Sequence, residues 1–326
     1  MRDSQATLTA NSFLIGMVMK FLNVLRGPLV LAVAALITAC STAPGVPKNS
    51  GSSALESVPP MVATPKPPPK IGLALGGGAA RGFAHVGVIQ VLEENGIKPN
   101  LVTGTSAGSL VAAIYASGKN GAQLQRVAET MEEAAIADWT LPIFSRGMLR
   151  GDALARYVNA QVSSKLIEDL PMPLGIVATD LNTGNDVLFQ RGDTGTAVRA
   201  SSAVPAVFQP VKISGREYVD GGLVSPVPVG AARRMGADFV IAVDISSPPE
   251  GSLTGGTLDI LMQTFSIMGK SINRYELRDA EVVVRPALQG IGSSDFSARK
   301  RSIEAGRQAM LKMIPELKAA LAARDR

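Results

Sequence analysis

Histidine, cysteine and tryptophan each occur once in these 326 residues, and aromatic side chains make up only 4%. The lone cysteine, Cys40, rules out an intramolecular disulfide and leaves no thiolate cluster for a metal. The lone histidine, His85, has no clustered carboxylates beside it, so no metal ion and no cofactor is expected. Lysine and arginine exceed aspartate and glutamate by 32 to 27, and part of that excess lies near the N-terminus. Such a balance does not suggest a nucleic-acid partner, and short clusters such as Arg233-Arg234 read as solvated helix faces. The apolar run PLVLAVAALITA, residues 28–39, is too short for a comfortable transmembrane helix.

That run has a different layout. Lys20 and Arg26 precede it and small residues close it, as in a signal peptide. Its end, LITAC, places an aliphatic residue and two small residues before Cys40. This resembles the lipobox of bacterial lipoproteins, in which the cysteine becomes the lipidated first residue. A plain secretory signal is the alternative. Ser41 after the cysteine goes with transfer to the outer membrane in such proteins. Residues 1–39 are therefore expected to be a signal peptide and Cys40 a lipid anchor. Residues 40–70 are rich in proline, serine and glycine and poor in large apolar side chains. They read as a disordered tether. The folded domain is expected over residues 71–326.

Within that domain strand-like and helix-like stretches alternate. IGLALG, NLVTG, PLGIVATDL, ADFVIAVDIS and AEVVVRP read as strands, separated by helical patterns. VKISGREYVDGG reads as a hairpin turning at Ser214-Gly215. The alternation predicts a three-layer α/β/α fold, with helices on both faces of a mostly parallel central sheet. Sites in such sheets lie at the carboxyl ends of the strands.

Two glycine-rich stretches fall at such ends. In GTSAG, Ser106 stands between Gly104 and Gly108, after a strand and before a helix. That is the setting of a nucleophile elbow. In LGGGAARGFAH, three glycines follow a strand and open a helix, a turn that can aim consecutive backbone N–H groups at one point, as in an oxyanion hole. Nucleotide binding fits poorly: read from Gly76, the dinucleotide pattern puts Arg81 at its third glycine, and the Lys-Ser/Thr of a Walker A loop is missing. His85 lies in a helix among Phe83, Val86 and Ile89, which suits packing or anchoring better than proton transfer. The base for Ser106 must then come from a carboxylate. Asp220 ends a strand and precedes Gly221 and Gly222, and burial there would raise its pKa toward that of a useful base. A simple turn aspartate has the same pattern. Asp180 and Asp152 are the other carboxylates in suggestive places, and Asp180 is assigned a structural role.

The glycine loop with Arg81-Gly82, then Gly-Thr-Ser-Ala-Gly, then Asp-Gly-Gly, in that order, resembles the patatin-like phospholipase family. VATDLNTG (177–184) and RASSAVPAVFQP (199–210) resemble its bacterial members. The resemblance covers about residues 71–312 and implies a patatin-like fold with a Ser-Asp dyad and no histidine. It implies Ser106 as nucleophile, Asp220 as base, and amides near Gly77, Gly78 and Ala79 as the oxyanion hole, supported by Arg81. Many relatives carry glycine at Ala79; alanine restricts the loop to more ordinary dihedrals. The substrate expected is an acyl ester of a membrane lipid, reached through the lipid anchor. Hydrophobic residues 136–151, including Trp139 and Phe144, read as a packed lid or an acyl-channel lining. An esterase or thioesterase for soluble substrates, and a catalytically silent lipoprotein, are the alternatives. No protein partner is indicated.

Overall fold

The computed structural model describes residues 68–131, 138, 147–246, 255–292 and 294–324. The leader, Cys40, the tether through residue 67 and most of the 136–151 segment lie outside the described residues. The fold is that of the compact unit Ala63–Arg326.

Its centre is a mixed sheet. The strands β1 (Ile71–Leu75), β2 (Leu101–Thr105), β4 (Leu174–Asp180), β9 (Phe239–Val243) and β10 (Val282–Val284) run parallel. Their near-continuous apolar sequences are those of strands covered on both faces. β5 (Asp186–Phe189), β7 (Val211–Ile213) and β8 (Arg216–Asp220) are antiparallel to their neighbours. The sheet order is β10-β9-β1-β2-β4-β8-β7, with β5 also paired to β4. The β7–β8 hairpin turns at Ser214 and Gly215, both at positive φ, as the sequence predicts. A short separate sheet pairs β3 (Gly147–Leu149) with β6 (Ala206–Phe208); no sequence pattern announced it.

The helices are α1 (Ala84–Glu94), α2 (Ala107–Ala116), α3 (Gly121–Thr130), α4 (Asp152–Gln161), α5 (Thr194–Ser201), α6 (Val229–Arg234), α7 (Thr257–Glu276) and α8 (Arg299–Arg324). Side chains alternate along β1. Leu73 and Leu75 enter a large core with α1, α2, α3 and α8, whereas Ala74 enters a thinner one with α6. That division gives the three layers. Local signals set the ends: the Asn120 side chain caps α3 in a reciprocal box with Gln123, and Asp193 caps α5.

One register positions the site. β4 pairs with β5 through Ile176–Thr179, which occupies one of its edges. On the other edge Thr105 of β2 pairs with Val177, and Asp220 of β8 with the next residue, Ala178. β2 therefore ends where β8 ends, and the residues that follow or close these strands meet.

Candidate active site

Ser106 sits between β2 and α2 with φ 53° and ψ −125°, a conformation that L residues rarely hold. Glycines make the turn possible. A Cβ at Gly104 would lie 2.5 Å from the Gly108 carbonyl oxygen, and one at Gly108 would lie 2.1 Å from the Leu75 carbonyl oxygen. The elbow is thus pressed against β1. The N-terminus of α2 lies beneath Ser106 and favours negative charge there. The Ser106 amide donates to the Ser201 hydroxyl at 2.8 Å, and Ser201 donates to the Val177 carbonyl at 2.5 Å.

Asp220 is 6% exposed and lines the same cleft as Ser106. The Gly222 amide donates to Asp220 Oδ1 at 2.7 Å. A Cβ at Gly221 would lie 2.3 Å from the Val177 carbonyl, so only glycine lets this turn approach β4 so closely. The Asp220 amide donates to the Ala203 carbonyl, and the Thr179 hydroxyl to the Asp220 carbonyl. Burial pushes the Asp220 carboxyl up to about 6, against the opposing pull of the nearby Ser106 side chain and the Gly222 amide. The sequence alone assigns the 199–210 segment no task. In the structure Ser201 fixes the backbone of Ser106 and Ala203 that of Asp220.

At the glycine loop the structure departs from expectation. The Gly77 N–H, expected among the oxyanion donors, donates to the Pro226 carbonyl at 2.9 Å. Among the described residues the N–H groups of Gly78 and Ala79 have no such partner, and both residues line the same cleft as Ser106 and Asp220. Arg81, 8% exposed, donates from Nε to the Gly78 carbonyl at 3.2 Å and so braces the loop. The expectation of ordinary dihedrals at Ala79 also fails. Its φ is +51°, left-handed despite the Cβ, because it turns the chain from the extended Gly78 into a 3-10 turn over Ala79–Phe83.

That turn precedes α1, so His85 falls in the first turn of the α-helix. It is fully buried, and its Nε2 lies 2.8 Å from the Gly76 carbonyl. A carbonyl only accepts, so Nε2 carries the proton. Burial lowers the ring to about 4, which keeps it neutral. His85 anchors the glycine loop, as the sequence suggested. Asp180 accepts from the amides of Asn182 and Thr183 and pairs with Arg216, and Asp152 pairs with Arg199; both carboxylates are structural. Among the described residues no group of three or more His, Cys, Asp or Glu side chains could hold a metal.

Two cavities meet at Ser106. One, about 180 Å³, runs under α2 and α3 and is walled by Phe83, Leu110, Val111, Ile114, Val127 and Met131. The other, about 340 Å³, is more polar and lies between the glycine loop, Asp220 and the inner face of α7. Ser106, Ala79 and Val204 line both. No sequence motif marks the apolar cavity; its walls are ordinary helix-face residues.

Comparison with known proteins agrees with this arrangement. Residues 73–233 match the family model described as patatin-like phospholipase. An NTE family protein of Mycobacterium tuberculosis is 38% identical over 184 residues, 56% of this chain and 51% of that protein. Mouse patatin-like phospholipase domain-containing protein 6 is 35% identical over 192 residues, 56% of this chain and 14% of its own length. The chain thus spans about half of the first relative and a small part of the second. Among solved structures, VipD from Legionella pneumophila shares the fold with a TM-score of 0.53 at 14% identity, over 77% of this chain and 68% of VipD.

Proposed function

The chain belongs to the patatin-like phospholipase family, and from that premise we propose that its folded unit is a serine acyl hydrolase acting on the acyl esters of membrane lipids. The observation that carries the reading is the placement of Ser106 and the buried Asp220 in one cleft, where an apolar and a polar cavity meet.

The chemistry follows from those positions. Asp220 takes the Ser106 hydroxyl proton as Oγ attacks the ester carbonyl carbon. The carbonyl oxygen becomes an alkoxide, which the Gly78 and Ala79 N–H groups hold with help from the α2 N-terminus. When the intermediate collapses, the protonated Asp220 gives its proton to the departing alcohol, and an acyl-Ser106 ester remains. A water molecule then gives a proton to Asp220 and its oxygen to the acyl carbon; as the bond to Ser106 Oγ breaks, Asp220 returns that proton to Oγ, which releases the fatty acid and restores Ser106. The apolar cavity under α2 receives the acyl chain, and the polar cleft beside α7 receives the leaving group.

The N-terminal sequence supports a place for this reaction. A lipidated Cys40 followed by an extended tether would hold the domain at the bacterial outer membrane, on the periplasmic side. Labelling of Ser106 by a fluorophosphonate probe, lost in Ser106→Ala, is the test. A folded wild-type protein that neither labels nor turns over a short-chain nitrophenyl ester would be a silent scaffold instead. Comparison of lipids from cells with the active and the Ser106→Ala protein then separates membrane-lipid from soluble-ester hydrolysis.

A further inference from the structure

α7 buries only Gly269 and Asn273 of its twenty residues. Its inner side, through Met262, Phe265 and Ser266, walls the polar cleft. Its outer side carries Ile260 (58% exposed), Ile267 (52%), Met268 (45%) and Tyr275 (66%), with the half-buried Leu261 between them. The spacing i, i+1, i+7, i+8, i+15 puts these five on one helical face. Single exposed apolar residues are ordinary, but a continuous stripe on a single face marks an interaction surface.

A second feature identifies what the stripe meets. Arg274 and Arg278 are exposed and four residues apart, so they form a cationic ridge along one flank of the stripe, the second in the 3-10 turn after α7. Three carboxylates in this region turn away from the ridge. Glu276 turns inward onto the Ser225 hydroxyl, and Asp259 receives the amides of Gly255 and Gly256 at the far end of the helix. Asp244, which shares a shallow cavity with the ridge, pairs with Arg285. An apolar stripe flanked by cations is the pattern of a helix that lies in the plane of a membrane interface.

We propose that α7 is an interfacial docking helix, which seats the rim of the polar cleft on a bilayer containing anionic lipid. The proposal deepens the acyl-hydrolase reading and rests on it only for the source of the substrate. Ile260, Ile267 and Met268 enter the boundary between headgroups and acyl chains, and the cationic ridge lies against lipid phosphates. The other side of the same helix forms the wall past which a lipid reaches Ser106.

The test uses full-length protein carrying Ser106→Ala, so that lipid is not consumed, with an environment-sensitive fluorophore on Ile267→Cys. Lys312→Cys, exposed on α8, is the control, and protein without either added cysteine reports any labelling at Cys40. Vesicles of phosphatidylcholine with phosphatidylglycerol should shift the Ile267 probe to the blue and expose it to quenching by spin-labelled acyl chains. The Lys312 probe should stay aqueous, and pure phosphatidylcholine vesicles should give a much weaker response. Arg274→Glu with Arg278→Glu should weaken the Ile267 response at least about tenfold. If the protein floats with anionic vesicles while the Ile267 probe keeps its aqueous emission, the docking helix is refuted. In the Ser106-intact chain, Ile267→Glu should lower vesicle hydrolysis and leave small-ester turnover unchanged. Absence of small-ester turnover in the wild type would refute the hydrolase reading alone, since probe insertion is read without catalysis.

Discussion

The hydroxyl of Ser201 accepts the backbone N–H of Ser106 at 2.8 Å, across 95 residues of sequence. Since Ser201 also donates to the Val177 carbonyl, one side chain ties the strained elbow to the neighbouring strand. The backbone of Ser106 is thus held from a distant part of the sequence.

Ser201→Ala should therefore leave a partly buried N–H without its acceptor and cost about 1–3 kcal/mol of stability. The elbow then loses its fixed geometry. Turnover of a short-chain ester should fall through kcat more than through KM, because the loss lies in positioning. Thermal unfolding with steady-state kinetics checks both parts; an unchanged kcat in a destabilised protein would leave Ser201 a purely structural residue.

Asp220 predicts opposite trends for activity and stability. The base must be ionised, so kcat/KM should rise with pH along a limb centred near 6. Stability should run the other way. Burial raises this carboxyl above its unfolded value of about 3.9, so its stabilising contribution is full below that pH and is lost as pH rises through about 6. Asp220→Asn should abolish hydrolysis and raise stability at pH 8 by about 1–3 kcal/mol. Denaturant unfolding of the two proteins at pH 5 and pH 8 measures it: the gap should open at the higher pH.

Ala79 holds a left-handed conformation at φ +51° with a side chain that resists it. Ala79→Gly should relieve that strain but give the unfolded chain more freedom. The expected net change is a gain of up to about 1 kcal/mol, with activity retained because glycine offers the same N–H. A clear loss of stability would mean that the alanine methyl packs in a way that outweighs its strain.

If the cavity under α2 and α3 holds the acyl chain, narrowing its α3 wall should act as a ruler. Val127 is half-buried and lines that cavity. Val127→Trp should lower kcat/KM for long-chain nitrophenyl esters by about tenfold, roughly 1.4 kcal/mol, while sparing acetyl esters. Equal losses across the series would place the acyl chain elsewhere.

The sequence carried the strand–turn–helix at Ser106, the hairpin leading to Asp220 and the anchoring place of His85, because each rests on a local pattern of glycines and apolar residues. It did not carry what depends on distant partners. The Gly77 amide is taken by Pro226, about 150 residues away in the chain, and nothing near Gly77 signals that. Ser201 and Ala203 stood in a recognisable segment, but their tasks follow from the packing of α5 beside β4. The docking face of α7 was legible only as a helix; which side faced outward needed the inner wall of the cleft.

The register along β4 also governs when the chain acquires reactivity. Ser106 arrives with β2, but Asp220 arrives with β8, after β4 has formed the edge that both share. A nascent chain that has folded only through β4 carries Ser106 without Asp220. Pairings of this range close late in folding. On the proposed reading, the order of strands works as a built-in safeguard: hydrolysis begins only when the last partner of β4 is in place.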